Sequence, residues 1–163
     1  MRPMLDLYVY QINLEGNRMA ALSFLSPDQV GEQGLPTEAV LGDVDPNRPE
    51  MTVDLFTPND AFLKFLHGII AENAYQLPVL QAQAEKVQNG PVYVMDYRSI
   101  NKGQKPPFED CLGWYGVRNG EIMIETYNPS AHYKLMTNAG PIELEPSLEQ
   151  ILIKRVEEII NNQ

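Results

Sequence analysis

Alternating apolar residues open the chain. Strand-favouring stretches in "MLDLYVYQIN" (4–13) and "MAALSFL" (19–25) flank "LEGN", whose Gly and Asn suit a turn, and together they predict an N-terminal β-hairpin. The period is then lost. Residues 26–50 hold four prolines and three glycines, which predicts a long surface connection containing one short helical turn. Met51, Val53 and Leu55 alternate with Thr52 and Asp54, so residues 50–56 are expected to form a third strand.

A helical period follows over residues 57–89. Thr57 stands where an N-cap is needed, Pro58 suits the first helical position and Asp60 the third, and Phe62, Phe65, Leu66, Ile69 and Ile70 make one apolar stripe. At about 100° of rotation per residue, His67 points away from that stripe into solvent. Pro78 divides the segment, and a second helix is expected to turn Leu77, Leu80, Ala84 and Val87 inward and to stop at Gly90.

Residues 91–144 read as rich in strands. "PVYVMDYRS" (91–99) is apolar or aromatic on both alternating faces, which predicts a central strand covered on both sides, and "NKGQKPPFED" (101–110) is a polar loop. Within 111–127, Asn119-Gly120 lies between two alternating runs, the pair that best tolerates the positive φ of a tight hairpin turn. The predicted register sets Arg118 opposite Glu121, Val117 opposite Ile122, Gly116 opposite Met123, Tyr115 opposite Ile124 and Trp114 opposite Glu125. Val117, Ile122, Tyr115 and Ile124 then face the core, while Trp114, Met123, Leu112 and Tyr127 share the other face with charged groups. Turns at Asn128-Pro129-Ser130 and Asn138-Ala139-Gly140 frame a short strand, "HYKLMT", that extends the sheet as a meander.

Residues 146–162 close the chain as a helix opened by Pro146 or Ser147. Leu148, Ile151, Leu152, Val156, Ile159 and Ile160 form its buried stripe, with Glu149, Lys154, Glu157 and Glu158 on the solvated side. The sum is one α+β domain over 1–163: a mainly antiparallel sheet of about six to eight strands, with about three helices packed mostly on one face.

Charge and composition narrow the function classes. Hydrophobic content of 44% with 21% charged residues is that of a globular protein, and a net charge of -10 with no basic run denser than "IKR" (153–155) argues against nucleic acid as a partner. Asp6 and its polar neighbours interrupt any N-terminal apolar run, and no later stretch offers about 20 apolar residues, so neither a signal peptide nor a membrane partner is expected. The lone Cys111 forms no intrachain disulfide, and Pro129 disqualifies the "NPS" at Asn128 as a glycosylation site; both fit a cytoplasmic protein.

The chemistry-bearing residues concentrate around the hairpin. A nucleophile would be built from Cys111 activated by His132, with Asp110 or Asn128 orienting the ring. A polar pocket would draw on Asp96, Arg98, Trp114, Tyr127, Asn128, His132 and Tyr133, where the end of the 91–99 strand meets the hairpin loops. Two His and one Cys without metal-ligand spacing predict no metal site. "DVDPNRPEMTVD" (43–54) imitates a calcium loop but has Arg48 where the turn needs Gly and Asp54 where a bidentate Glu belongs. No Walker loop, dinucleotide fingerprint or G-x-S-x-G occurs, so no cofactor is expected.

Three functions remain. The first is a small, acidic, non-catalytic binding protein that engages a protein or a small molecule through the aromatic face of the 111–127 hairpin and its neighbouring loops. The second is a small hydrolase using His132 with Cys111 or a carboxylate. The third is an acidic inhibitor or immunity-type protein covering a basic site on its target. Association with further copies of the chain is compatible with each.

Overall fold

A computed structural model describes residues 6–14, 16–30, 34–45 and 56–162. The predicted opening hairpin is present: β1 (Tyr8–Leu14) and β2 (Asn17–Ser23) pair antiparallel, Tyr8 opposite Ser23. The described part of the connection that follows holds more regular structure than its prolines and glycines suggest. A single helical turn, α1 (Pro27–Val30), occurs as expected, but Val40–Val44 forms a strand, β3, that adds to β2. Ala39, Leu41 and Val44 are buried there. Five residues, with Gly42 in their midst, are too few to display a period, which is why the pattern read as loop. The strand expected over 50–56 lies, except for Phe56, outside the described residues, as does most of the calcium-like segment.

The first long helix starts two residues later than its sequence predicts. Thr57–Pro58 pair with Asp43 and Gly42 of β3 as a short strand, β4, which completes a sheet in the order β1-β2-β3-β4. Asn59, not Thr57, then caps α2 (Asp60–Asn73): its side chain accepts from the Ala61 N–H and donates to the Thr37 and Val40 carbonyls. The cap thus ties the helix to β3. Phe62, Leu66, Ile69 and Ile70 are buried as the stripe predicts.

α3 (Pro78–Val87) buries Leu80 and Ala84, but Val87 is exposed and the helix stops through Gln88, at φ 65°, ahead of Gly90. α4 (Pro146–Asn161) is capped by the Glu145 carboxylate, which accepts from the Ser147 and Leu148 N–H groups. Leu148, Leu152 and Val156 are buried, and so is Glu149, contrary to the solvated position expected for it.

The expected single sheet of six to eight strands is instead divided. The nine strands among the described residues form antiparallel sheets of four, three and two. The second sheet has the order β5-β6-β7, from β5 (Gly90–Met95), β6 (Cys111–Arg118) and β7 (Glu121–Pro129). β5 is therefore an edge strand and β6 the central one, the reverse of the sequence reading; Val92 and Val94 are buried but Tyr93 is exposed. Nor does the meander continue: β8 (Met136–Thr137) and β9 (Gly140–Pro141) pair only with each other. α2 touches β3, β7 and α4 and so joins the two larger sheets, whose inner faces share one apolar cluster with the helices.

The hairpin turn is where the sequence places it, with Asn119 at φ 52° and Gly120 at φ 79°. Arg118, Val117 and Gly116 face Glu121, Ile122 and Met123 as predicted. Then the register jumps, and Trp114 pairs with Asn128, so that Ile124 to Tyr127 stand opposite the single Tyr115. Thr126 holds this wide bulge: its Oγ1 accepts from the Gly116 N–H and donates to the Met123 carbonyl. The predicted pairs Tyr115–Ile124 and Trp114–Glu125 do not form, and Ile124 is exposed rather than inward. Tyr115 is inward, fully buried, and donates to the Ile70 and Ala71 carbonyls. Trp114 lies half-buried on the opposite side, edge-on to Tyr93. A second irregularity, between Val94 and Met95, leaves Leu112 without a partner in β5 and turns it into the core.

The bulge separates two otherwise similar substitutions. Thr126→Val removes the hydroxyl while keeping its shape and strands the Gly116 N–H, for an expected loss of about 1–2 kcal/mol in urea unfolding. Ile124→Thr, at an exposed bulge position, is expected to change stability by less than ~0.5 kcal/mol. A regular hairpin would reverse that order.

Candidate functional site

Two arrangements collect the chemistry-bearing residues, one sealed and one open. The sealed one lies just past the end of β5. Arg98 is fully buried, and all five guanidinium N–H groups are used. Nε donates to Asp110 Oδ1 at 2.8 Å, Nη1 to the Leu135 and Gly140 carbonyls at 3.2 and 3.4 Å, and Nη2 to the Glu109 and Lys134 carbonyls at 3.2 and 2.6 Å. The Tyr133 ring lies 5.4 Å from the guanidinium carbon. Asp110 Oδ2 accepts from the Ser99 hydroxyl at 2.7 Å.

Asp96, also fully buried, accepts from the Arg98 N–H at 2.8 Å, the Tyr133 hydroxyl at 2.7 Å and the Glu143 N–H at 3.2 Å. Burial pushes its carboxyl up to about 6, against the pull of the Arg98 charge and of these donors. Burial likewise raises the Tyr133 hydroxyl well above its ordinary value, and Asp96 adds to the rise. The structure therefore brings Asp96, Arg98, Asp110 and Tyr133 together, as a closed clamp across four chain segments. No guanidinium donor is left over for a ligand.

The open arrangement lies on the outer face of the second sheet. A groove of about 420 Å³ is lined by Tyr93 and Met95 of β5, Cys111 of β6, Gln83 of α3 and the Pro106-Pro107-Phe108 turn. Tyr93 and Phe108 are 44% and 54% exposed, high values for aromatic rings beside a groove. Trp114 extends this face through its contact with Tyr93, ring centroids 6.2 Å apart, and His132 packs on Phe108 at 5.2 Å.

The remaining residues named from sequence fall elsewhere. Cys111 is buried at the groove floor, donates to the Gly113 carbonyl at 3.6 Å, and has its thiol pushed up by burial, which suppresses the nucleophilic thiolate. No hydrogen bond joins it to His132 among the described residues, and both Asp110 oxygens already accept from Arg98 and Ser99. Asn128 is exposed opposite Trp114. Tyr127, carried inward by the bulge, packs on Tyr115 at 5.1 Å and meets His67 Nδ1 at 2.9 Å. His67 is thus half-buried against β7 rather than free in solvent, and burial lowers its pKa.

The sequence reading missed Tyr93, Met95, Phe108 and the two prolines. Treating β5 as covered on both sides hid Tyr93, and the polar residues of 101–110 hid the apolar run at their centre. Among the described residues no cluster of three or more His, Cys, Asp or Glu is placed to hold a metal ion, and no helix is long and apolar enough to cross a membrane. Comparisons with models of known protein families, with curated proteins and with solved structures gave no match to this chain.

The clamp generates two expectations. Arg98→Met leaves Asp96 and Asp110 buried without their counter-charge and is expected to cost about 3–5 kcal/mol in urea unfolding. For Asp96, the folded value of about 6 lies above the roughly 3.9 of an unfolded chain, so its contribution to stability is complete below about pH 4 and is lost as pH rises through 6. The gap corresponds to at most ~3 kcal/mol. Asp96→Asn is therefore expected to gain stability relative to the native chain by up to that amount between pH 4 and 7; parallel pH profiles would contradict it.

Proposed function

We propose that this chain is a non-catalytic, cytoplasmic binding protein that takes a protein segment or a small apolar molecule in the groove beneath Tyr93 and Phe108, with Trp114 and His132 at its margins. The observation that supports this most is the exposure of two large aromatic rings at a groove lined, apart from Gln83, by apolar side chains. Singly exposed apolar groups are common on folded chains, but ones gathered around a single groove mark a surface for a partner. Asp96, Arg98 and Tyr133 serve in this reading as the scaffold behind the groove, and Tyr127 as the support behind the hairpin. Asn128 stands on the exposed strand beside Trp114.

The hydrolase reading has less behind it. A thiol held in its neutral form, turned to a backbone carbonyl and lacking a base within reach is poorly set up for attack. An acidic inhibitor is compatible with the net charge of -10, but no local feature among the described residues favours it.

Trp114, the chain's single tryptophan, is a built-in reporter. Titration with the neutral dye Nile red is expected to change Trp114 fluorescence saturably, and Tyr93→Ala combined with Phe108→Ala is expected to weaken binding by about tenfold or more, ~1.4 kcal/mol. Ile124→Ser, which removes a distant exposed apolar group, should leave the titration as it was. Equal binding by the double variant would refute the groove as the site.

A further inference from the structure

Among the described residues, β5 has a hydrogen-bonded neighbour on one side only, and its register fixes which backbone groups are left over. The Gly116 N–H donates to Thr126 Oγ1 on the β7 side. Tyr115 and Val117, one residue away in each direction, therefore turn their backbone groups toward β5 and its residues Val92 and Gly90. Pro91 and Tyr93 consequently point theirs away from β6, to the unpaired edge, where a proline lacking an N–H is tolerated. Tyr97 has the same parity, and its N–H already donates to the Glu143 carbonyl, in the segment between β9 and α4. Just beyond the strand's end, the outward-facing backbone thus already takes a hydrogen-bond partner from another chain segment.

Recesses open beside this edge on both faces. One is the groove under Phe108. The other, about 70 Å³, lies between α3 and the start of α4 and is lined by Leu77, Val79, Leu80, Ile100 and Leu148. Gln83, Tyr93 and Met95 border both. Of the seven large apolar side chains left exposed among the described residues, Val79, Tyr93, Ile100 and Phe108 surround these two recesses. An added strand projects successive side chains to opposite faces, so one would enter each recess. Neither lining includes a Lys or Arg, and the single acidic side chain in them is Glu145, on a chain of net charge -10.

Building on the groove reading above, we propose that the partner is an extended peptide segment of another protein that adds as a strand to the β5 edge at Pro91 and Tyr93. It seats alternate apolar side chains in the two recesses and sets a basic residue against Glu145. Backbone hydrogen bonds supply the pairing, and the recesses supply the selectivity.

Selection of short random peptides displayed on phage against the full chain tests this. Enriched sequences are expected to alternate apolar residues around a Lys or Arg, and a synthetic copy should alter Trp114 fluorescence on binding. N-methylation of every second amide of that peptide is expected to weaken binding about tenfold or more, the equivalent of a lost backbone hydrogen bond, while methylation of the intervening amides is tolerated. Failure to enrich any peptide, or equal responses to both sets of methylations, overturns the proposal. So does sedimentation showing a dimer that the peptide disperses, since a second copy would then hold the edge. If Nile red binding persists while the peptide pattern fails, only strand addition falls; if both fail, the groove reading falls with it.

Discussion

A single guanidinium organises the half of the molecule that follows α3. Arg98 sits in the interior with every donor occupied, by one carboxylate and four carbonyls drawn from the turn before β6, the strap before β8 and the start of β9. Burying a charge is costly unless it is paired and its hydrogen bonds are met, and here both conditions hold. Asp96 completes the arrangement from the other side by receiving Tyr133 and the backbone at Glu143. Segments too short and too irregular to fold by apolar period alone are thereby fixed to the end of β5.

The second sheet depends on a different device. Asn119-Gly120 sets the tip of the hairpin, but the bulge at Thr126 decides what each face presents. Four residues opposite one carry Tyr127 under the sheet, against Tyr115 and His67, and push Ile124 outward. Close approach follows from this: a Cβ at Gly113 would lie 2.5 Å from the Tyr127 hydroxyl, so only glycine fits there. The outer face is left to Tyr93 and Trp114.

Much of the fold was legible where a period had room to declare itself. The opening hairpin, the apolar stripes of α2 and α4 and the Asn-Gly turn each follow from six or more residues in register with a helix or strand. β3 did not, because five residues with Gly42 in their midst carry no period, and the helix cap moved from Thr57 to Asn59 because β4 claimed Thr57 and Pro58. The division into separate sheets is a tertiary choice that no local pattern encodes. For the site, Trp114 outward and Tyr115 inward could be read from alternation. The clustering of Asp96, Arg98 and Tyr133 was anticipated as a pocket, but nothing in the residue types distinguishes a pocket from a sealed network; only the count of satisfied donors does that.

The tip of the hairpin is also fastened to the end of α3, through the Gly120 N–H to the Gln88 carbonyl at 2.9 Å and the Asn119 N–H to Asn89 Oδ1 at 3.3 Å. The helix that presents Gln83 and Val79 is therefore a beam anchored at its far end to the sheet it flanks. A wall held in this way needs no ordering when something settles against it, so little conformational entropy is surrendered on contact and even a modest apolar surface can retain an occupant.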